Sequence, residues 1–419
     1  MTSRRARTTT LVAVGIASLG LILAGCAGGG GGGGEGTATL EMQTGLGATD
    51  PTLAVLKDIT KTCTPANTKI DLVPMTNTYE ADMKTRMASG DLPDIWSTHG
   101  WSLLRYSSFL EPLNTQPWAK NFNKALAPAM ENKDGQFFAL PINTDVSGIL
   151  YNKDTLQKAG VDPSTLTTWD AFTAALGKLK AAGVTPISSS SKDSWMAGNV
   201  ADFMASGAFT DADLQQFTDG TFSESGYTTM LDEVQKWAKA GDFNPDFSSI
   251  TMDEIGRGLG KGDVGFVFVQ NSLANTALEQ NPDAKLGFMP IPAFTGSPYF
   301  VGGEGTAYGT WNKGKHKKQA LAYLACLAEP DNLGKLAKAL GSIPGLTDAT
   351  TDMGALQDSY ESVVEPGTYP LHPYFDRVYL PNGMWDTMVT TTGAVISGQS
   401  QPKAATAQMT QQFTSLFTK

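Results

Sequence analysis

The feature that most constrains the fold is a regular alternation of short β-rich runs with helical segments along the chain. The segments 37–43 and 69–74 are rich in β-forming residues, whereas 50–61 and 79–89 carry apolar residues at helical spacing. Asp50 stands where the first of these helices begins, as a helix N-cap should. Strands that alternate with helices are typical of α/β proteins with parallel sheets and crossover helices. The sequence therefore predicts an α/β fold.

The alternation continues through the rest of the chain. We predict further strands at 92–96, 137–142, 148–152, 185–188, 263–269 and 285–290. We predict further helices at 168–182, 226–240 and 317–328, and a helical C-terminal third. A chain of 419 residues is longer than one hydrophobic core usually supports, so we expect two domains.

The N-terminus has the pattern of an export signal. Arg4, Arg5 and Arg7 are followed by an apolar run over 11–24, which is shorter than the roughly 20 residues that cross a bilayer. The run ends in Leu-Ala-Gly-Cys at Cys26, a box that resembles the lipobox of bacterial lipoproteins. We therefore predict a signal peptide over 1–25 and a lipidated Cys26; the alternative is a plain secretory signal with a chance cysteine.

The segment after Cys26 contains seven consecutive glycines, so 26–36 is expected to be a flexible tether. These features predict a protein on the extracellular face of the cytoplasmic membrane, held there by its lipid anchor. Cys63 and Cys326 are the cysteines that remain, and outside the cell they could pair, but their spacing does not decide it.

Composition excludes several classes of protein. A net charge of −10 argues against nucleic acid as a partner and against adhesion to anionic lipid. A hydrophobic content of 41% is that of a globular protein rather than a disordered one. The three histidines His99, His316 and His372 are scattered without the paired spacing of a zinc site, so we expect no metal and no cofactor.

Four groups of short motifs occur in a fixed order along the chain. They are Leu92-Pro93-Asp94-Ile95 with 109–113; 135–141 with 148–154, Ala159-Gly160 and 168–172; 260–267 with 288–292; and 302–304 with 315–327 and 341–344. In this order the chain resembles the family 1 extracellular solute-binding proteins of ABC importers, the relatives of maltose-binding protein. Each motif is weak alone, and their order over nearly the whole chain carries the resemblance.

The resemblance implies a type II periplasmic-binding-protein fold, with two hinge-connected α/β lobes and a ligand cleft between them. We place the crossings between lobes near Asn143, Ile291 and Pro344. One lobe would then comprise 37–143 plus 291–343, and the other 144–290 plus 344–419. We expect a monomer whose partners are a small-molecule ligand and the permease subunits of the importer.

A sugar offers hydroxyls, which need polar partners, and flat C–H faces, which need aromatic cover. Loops at strand ends near the lobe interface can supply both. The candidate ligand-binding residues are Gln43, His99, Trp101, Asn143, Asp145, Trp195, Gln270, Asn271, Gly303, Glu304 and Trp385.

Several candidates rest on the resemblance. Asp145 and Trp385 stand where relatives place an acidic ligand contact and a stacking aromatic. Gln270 and Asn271 follow a buried strand where relatives often have an aromatic, so hydrogen bonding is expected there instead. Gly303 would let the backbone approach the ligand.

Each candidate also has a structural alternative. Trp101 could be a packing residue and His99 a surface histidine. Asp145 could cap a loop or a hinge, and Glu304 could belong to a structural turn.

The predicted function is binding of a carbohydrate, a di- or oligosaccharide, and its delivery to the permease by lobe closure. One alternative is a secreted carbohydrate-active enzyme that uses Asp145 and Glu304 as its carboxylate pair. Another is a binding protein for a non-sugar solute such as a peptide or polyamine. The sequence contains no nucleophile elbow and no His-Glu-x-x-His motif, so we expect no enzymatic activity.

Overall fold

The computed structural model describes residues 37–76, 78–98, 103–294 and 296–417, with the backbone alone at Glu80 and Leu104. These residues belong to one compact unit. The predicted signal peptide, Cys26 with its tether, His99 and Trp101 lie outside the described residues.

The strands and helices follow the alternation expected from the sequence. The strands are β1 (Ala38–Gly47), β2 (Thr68–Met75), β3 (Ile95–Thr98), β4 (Leu140–Pro141), β5 (Asn143–Ser147), β6 (Ile149–Asn152), β7 (Thr185–Ile187), β8 (Val264–Phe268), β9 (Leu286–Met289), β10 (Phe300–Glu304), β11 (Ala307–Thr310), β12 (Ile343–Pro344) and β13 (Leu371–Pro373). The helices are α1 (Pro51–Cys63), α2 (Tyr79–Ser89), α3 (Leu103–Tyr106), α4 (Ala127–Met130), α5 (Lys153–Lys158), α6 (Trp169–Ala181), α7 (Trp195–Ala205), α8 (Asp211–Thr218), α9 (Glu224–Ala240), α10 (Met252–Lys261), α11 (Leu273–Gln280), α12 (Lys317–Leu327), α13 (Pro330–Ala339), α14 (Gln357–Ser359), α15 (Phe375–Tyr379), α16 (Trp385–Ile396) and α17 (Pro402–Leu416).

Three sheets organise the chain into two lobes and a connection. The first-lobe sheet has the strand order β2-β1-β3-β11-β4, and the second-lobe sheet has the order β7-β8-β6-β9. A third sheet, here called the middle sheet, has the order β12-β5-β10-β13. The sheets are mixed, so the expectation of parallel sheets was wrong. β1 is parallel to β2 and β3, whereas β11 is antiparallel to both of its neighbours.

The middle sheet contains the strands that link the lobes. β5 connects β4 of the first-lobe sheet to β6 of the second-lobe sheet, and β10 leads back to β11. β12 pairs with β5 through Ile343 and Pro344. Ile291, where a crossing was predicted, pairs with Tyr299 and packs in the second-lobe core. The residue boundaries given for the two lobes stay predictions.

Local sequence explains the first of these elements. Leu40, Met42 and Leu46 alternate along β1 and are all buried, because successive side chains of a strand point to opposite faces. The Asp50 side chain accepts a 2.8 Å hydrogen bond from the Thr52 backbone N–H, and Pro51 occupies the first helical position. Local sequence therefore explains the alternation of β1 and the position at which α1 begins.

Each lobe has its own hydrophobic core. In the first lobe, Leu40 and Met42 pack with Tyr308 and Leu324. In the second lobe an aromatic cluster surrounds Trp169, whose ring lies 5.4 Å from that of Trp237. Two separate cores allow the lobes to move as bodies about the strands that join them.

A disulfide joins Cys63, at the end of α1, to Cys326 in α12, with 5.5 Å between the Cα atoms. The two cysteines are 263 positions apart in the chain, so the bond closes a long loop. Closing a loop of this length removes conformational entropy from the unfolded chain and stabilises the fold by about 2–5 kcal/mol. The pairing that the sequence left open is present in the structure.

Some local predictions differ from the structure. The predicted strand over 137–142 is reduced to β4, and the Ser-rich segment before Trp195 runs directly into α7. Gly303 and Glu304, for which a structural turn was the alternative to a ligand contact, belong to β10. No helix among the described residues is long and apolar enough to cross a membrane.

Candidate functional site

A cavity of about 550 Å³ lies between the two lobes, within the usual range for small-molecule sites of roughly 300–1,000 Å³. The first lobe contributes Lys84, Leu103, Arg105, Pro128 and Ala129. The second lobe contributes Trp195, Asn199, Asp202, Gln270, Tyr374, the segment 376–378, the segment 380–383, Trp385 and Asp386. The second lobe therefore supplies most of the wall, and it supplies all of the aromatic rings among the described lining residues.

One face of α7 forms part of the cavity wall. Trp195, Asn199 and Asp202 are four and three residues apart, so they lie along the same face of the helix. The opposite faces of α7 are apolar and buried in the second-lobe core. The Asn199 side-chain amide donates a 3.0 Å hydrogen bond to Gln270 Oε1, which fixes the orientation of both side chains.

Trp385 stands at the start of α16 and is half-buried. The chain reaches it through Gly383, whose φ of +100° is accessible to glycine and strained for other residues. Met384 is buried beneath it in the second-lobe core. The ring is thus held on a rigid helix, beside α7, with part of its surface on the cavity.

Two buried carboxyl groups, those of Asp202 and Asp376, lie beside the Arg377 guanidinium at the back of the cavity. The Asp376 backbone N–H donates a 2.8 Å hydrogen bond to Asp202 Oδ1. Burial, together with the neighbouring Asp376 charge, raises the pKa of Asp202 well above its ordinary value. Burial also raises the pKa of Asp376, and the adjacent Arg377 guanidinium opposes that rise.

Behind the wall, the middle sheet holds a buried hydrogen-bond network centred on Asp145. Ser342 donates to Asp145 Oδ1 at 2.7 Å, Asn143 donates to the same oxygen at 3.0 Å, and Tyr374 donates to Oδ2 at 3.2 Å. The Asn143 Oδ1 accepts from the Thr306 backbone N–H at 2.8 Å. Burial raises the pKa of Asp145, while the bond from Ser342 and the charge of Arg377 lower it. This network ties strand β5 to the segments before β11 and β12.

Glu304 lies in the same region and is completely buried. Neither carboxylate oxygen has a hydrogen-bond partner, and the nearest cation is Arg377, with Nη1 3.9 Å from Oε1. Burial raises the pKa of Glu304 to about 7, against the opposing charge of Arg377. Arg377 also donates to the Glu304 backbone carbonyl and lies over the Tyr374 ring, 4.1 Å from its centroid.

The predicted site residues therefore fall into distinct groups. Trp195, Gln270 and Trp385 line the cavity together. Asn143, Asp145, Gly303 and Glu304 are buried behind it, in strands of the middle sheet. Their role as direct ligand contacts stays a prediction.

Asn271, Gly303 and Gln43 each have close contacts with other groups of the protein. The Asn271 side chain is buried and donates a 2.8 Å hydrogen bond to the Val146 carbonyl. A Cβ at Gly303 would lie 3.1 Å from the Tyr374 ring, so its close neighbour is that tyrosine. Gln43 lines a separate cavity of about 250 Å³ in the first lobe, where its amide donates to the Val73 and Pro74 carbonyls.

The sequence reasoning missed several residues that line the cavity, namely Lys84, Arg105, Asn199, Asp202, Asp376 and Arg377. For two of them a signal was present. Asn199 and Asp202 are the polar residues of an otherwise apolar helical stretch, three apart and on one face. A buried helix with two polar residues on one face needs polar partners for them, which indicates a site or an interface.

In the part of the chain that the structure describes, no group of three or more His, Cys, Asp or Glu side chains is placed to hold a metal ion. The polar groups that converge on the cavity are amides, carboxyl groups, two guanidinium groups and one ammonium group, beside two tryptophans and Tyr374. This arrangement can hold a small polar molecule by hydrogen bonds and by stacking.

Comparison with protein families matches residues 54–361 to the bacterial extracellular solute-binding proteins. The chain is 30% identical over 323 residues to the melibiose/raffinose/stachyose-binding protein MelE of Bacillus subtilis. That alignment covers 75% of this chain and 74% of MelE.

Two solved structures share the fold. A Bacillus licheniformis sugar transporter in complex with stachyose is 28% identical, with a TM-score of 0.80, over 91% of this chain and 100% of that one. The Bacillus subtilis binding protein msme, in an open conformation, is 26% identical with a TM-score of 0.81, over 91% of this chain and 98% of that one.

Proposed function

This chain belongs to the bacterial extracellular solute-binding proteins, and from that premise we propose that it is the oligosaccharide-binding component of an ABC importer. Its ligand binds in the cavity between the lobes, and lobe closure presents the loaded protein to the permease. Melibiose, raffinose and stachyose are the first candidates, because a relative with 30% identity is named for them.

The observation that carries this proposal is the pairing of two tryptophans with an amide pair on one cavity wall. Trp195 and Trp385 line the cavity from α7 and α16, and Asn199 and Gln270 lie on the same wall. Aromatic rings cover the C–H face of a sugar ring, and amides bond its hydroxyls as both donors and acceptors. Rigid helices hold these groups in place before the ligand arrives, which reduces the entropy lost on binding.

The charges of the cavity favour a neutral ligand. Its described lining includes three basic side chains, Lys84, Arg105 and Arg377, and three acidic ones, Asp202, Asp376 and Asp386, so the formal charges cancel. A polyamine would be expected to meet an excess of carboxylates, and an anion an excess of Arg or Lys. A neutral oligosaccharide needs no excess of acidic or basic side chains in its site.

The family and the relatives are binding proteins, and we propose that this chain has no catalytic activity of its own. The alternative of a glycoside hydrolase requires two carboxylates at the ligand. The candidate pair, Asp145 and Glu304, is buried in neighbouring strands of the middle sheet and does not line the cavity. Enzymatic release of a monosaccharide from any bound oligosaccharide would overturn this part of the proposal.

We also propose that the protein is attached to the outer face of the cytoplasmic membrane through a lipid on Cys26. The support is the charged N-terminus, the short apolar run and the Leu-Ala-Gly-Cys box of the sequence. Cys26→Ser should move the protein from the membrane fraction to the medium. Retention of that variant in the membrane fraction would contradict the anchor.

Thermal denaturation of the purified protein tests the ligand class. A ligand that binds the native state alone stabilises it by about 2.7 kcal/mol at a hundredfold excess over Kd. Melibiose, raffinose and stachyose should raise Tm, whereas amino acids and polyamines at the same concentration should not. A shift produced by a polyamine or a peptide, with none from any sugar, would replace the oligosaccharide with that solute.

A further inference from the structure

Helix α7 contains a glycine beside the residues that face the cavity, on the side that meets α16. Gly198 lies three residues after Trp195 and one before Asn199, in a helix whose other residues in this turn carry side chains. Glycine in a helix interior destabilises it by about 1 kcal/mol relative to alanine, so its presence there needs a packing reason.

The reason lies in α16, which packs directly against α7. A Cβ built on Gly198 would lie 2.9 Å from Trp385 Cη2, 3.0 Å from Cζ2 and 2.6 Å from Val389 Cγ2. Carbon atoms in contact are ordinarily about 3.5–4.0 Å apart, so none of these distances can be accommodated without movement. The edge of the Trp385 ring occupies the space that a side chain at 198 would fill.

We infer that Gly198 is a positioning residue for the ligand: its missing side chain sets the depth at which the Trp385 ring sits in the cavity wall. This inference rests on the proposed function, since it assigns Trp385 to sugar stacking. With a methyl group at 198, the ring must move outward, into the volume that the sugar occupies, or the two helices must separate. Either change alters the stacking surface while the polar groups of the cavity remain.

A second glycine on the same interface provides a matched control. A Cβ built on Gly393, in α16, would lie 3.9 Å from the Ala197 Cβ, an ordinary van der Waals distance. Gly393→Ala and Gly198→Ala both place a methyl group between α7 and α16, and both gain the same helix propensity. They differ in whether the methyl group meets the Trp385 ring.

The test measures Kd by calorimetry for the sugar that the wild-type protein binds, with raffinose as the first probe. Gly198→Ala should raise Kd by at least about tenfold, a part of the loss expected for the whole Trp385 ring. Gly393→Ala should stay within about twofold of wild type. In a Trp385→Ala background, Gly198→Ala should change Kd by less than about twofold, because its effect passes through the ring.

A purely structural role of Gly198 gives a different result. Each substitution raises Kd by some factor. If the double variant raises Kd by the product of the two factors, the glycine acts through the fold and the inference is wrong. It is equally wrong if Gly198→Ala binds raffinose as wild type does. Should Gly198→Ala fail to fold, Gly198→Ala with Val389→Ala removes the contact at Val389 and leaves the one at Trp385, and the same tenfold loss is expected.

A measurement without ligand separates this inference from the proposed function. The fluorescence of Trp385 is obtained as the difference between each protein and its Trp385→Ala counterpart, and its quenching by acrylamide reports how exposed the ring is. Gly198→Ala should increase that quenching, and Gly393→Ala should not. Wild type that binds no sugar, together with the expected change in quenching, would refute the proposed ligand and leave the role of Gly198 standing; unchanged quenching would refute the role of Gly198.

Discussion

The cavity wall and the middle sheet behind it use similar polar and aromatic residues for different purposes. On the wall, Trp195 and Trp385 are half-buried, and each leaves part of its ring on the cavity. In the middle sheet, Asp145 and Glu304 are buried and face groups of the protein itself. The two regions therefore differ in whether a ligand could reach their side chains.

This difference in accessibility indicates that the two regions have different roles, one in binding and one in stability. Groups that the protein leaves without a full set of partners at a cavity surface can exchange water for ligand at little cost. Asp145 is already bonded to groups of other segments and holds them in one register, so moving it breaks several bonds together. We therefore expect substitutions on the wall to change affinity, and substitutions in the middle sheet to change stability.

The largest effect should come from Arg377→Met, because Arg377 of α15, which also lines the cavity, is the counter-ion of the middle-sheet carboxylates. Arg377 is the cation shared by the buried carboxylates of Glu304, Asp145 and Asp376. Removing one partner from a buried ionic cluster typically destabilises a protein by about 3–5 kcal/mol, because the remaining charges lose their compensation. Urea denaturation without ligand should show a loss of this size in the free energy of unfolding.

Arg105→Met is the matched control for that experiment. Arg105 is half-buried at the cavity on the first-lobe side, so its replacement should change the free energy of unfolding by about 1 kcal/mol or less. Equal destabilisation by the two variants would show that Arg377 is not the centre of a buried cluster, and the contrast between wall and middle sheet would fail.

The second prediction concerns pH. The folded-state pKa of Glu304 is about 7, above its ordinary value of 4.5 in an unfolded chain. Ionisation therefore disfavours the folded state, so the free energy of unfolding should fall as pH rises from about 4.5 to 7 and then level off. A single group with this difference contributes on the order of 3 kcal/mol across that window.

Glu304→Gln should flatten that pH profile when it is followed by urea denaturation at several pH values. The raised pKa values of Asp145, Asp202 and Asp376 act in the same direction, so a smaller slope should remain in the variant. Glu279→Gln, at an exposed position of α11, serves as the control. A Glu304→Gln profile that coincides with wild type would mean that ionisation of Glu304 does not cause the pH dependence of the free energy of unfolding.

On the wall, Trp385→Ala should weaken sugar binding by roughly 1.5–3 kcal/mol, the scale of one large apolar contact. Unfolding should remain cooperative. Tyr379→Ala removes a half-buried ring that packs on the second-lobe core and does not line the cavity, so it should lower stability and leave affinity unchanged. An unaltered affinity in Trp385→Ala, with a large loss of stability, would place this tryptophan with the core.

Much of the fold could be predicted because its signals are local. The helix over 79–89 and the cap at Asp50 depend on spacing and on one side chain, and both are present in the structure. Strand direction is not local, since β11 joins the first-lobe sheet only after the chain has built most of the second lobe. This is why the mixed sheets were predicted as parallel.

The same contrast between local signals and long-range strand pairing applies to the candidate site. Trp195 was predicted from its place in a Ser-rich segment after a strand end, and Trp385 from the resemblance to relatives with a stacking aromatic there; both line the cavity. Asp145 was predicted from the resemblance and Glu304 from the two glycines before it, whereas the burial of both is decided by which strands become neighbours. The β5–β10 pairing, between positions about 160 residues apart, places them inside the protein, and no local pattern in the sequence reports it.

The smallest effect should come from the contact across the cleft. Arg105 Nη2 in the first lobe donates a 2.7 Å hydrogen bond to Asn382 Oδ1 in the second, and opening of the lobes would break it. Asn382→Ala removes an exposed, charge-assisted bond of this kind, so closure should become less favourable by about 1 kcal/mol or less, and Kd should rise by no more than about fivefold.

Gln215→Ala, which removes an exposed amide bonded within α8 and its cap, should leave Kd unchanged. Affinity is measured by calorimetry and lobe opening by small-angle scattering. A Kd unaffected by Asn382→Ala would show that this bond does not favour the closed form, and a rise as large as that of Trp385→Ala would place Asn382 in contact with the sugar.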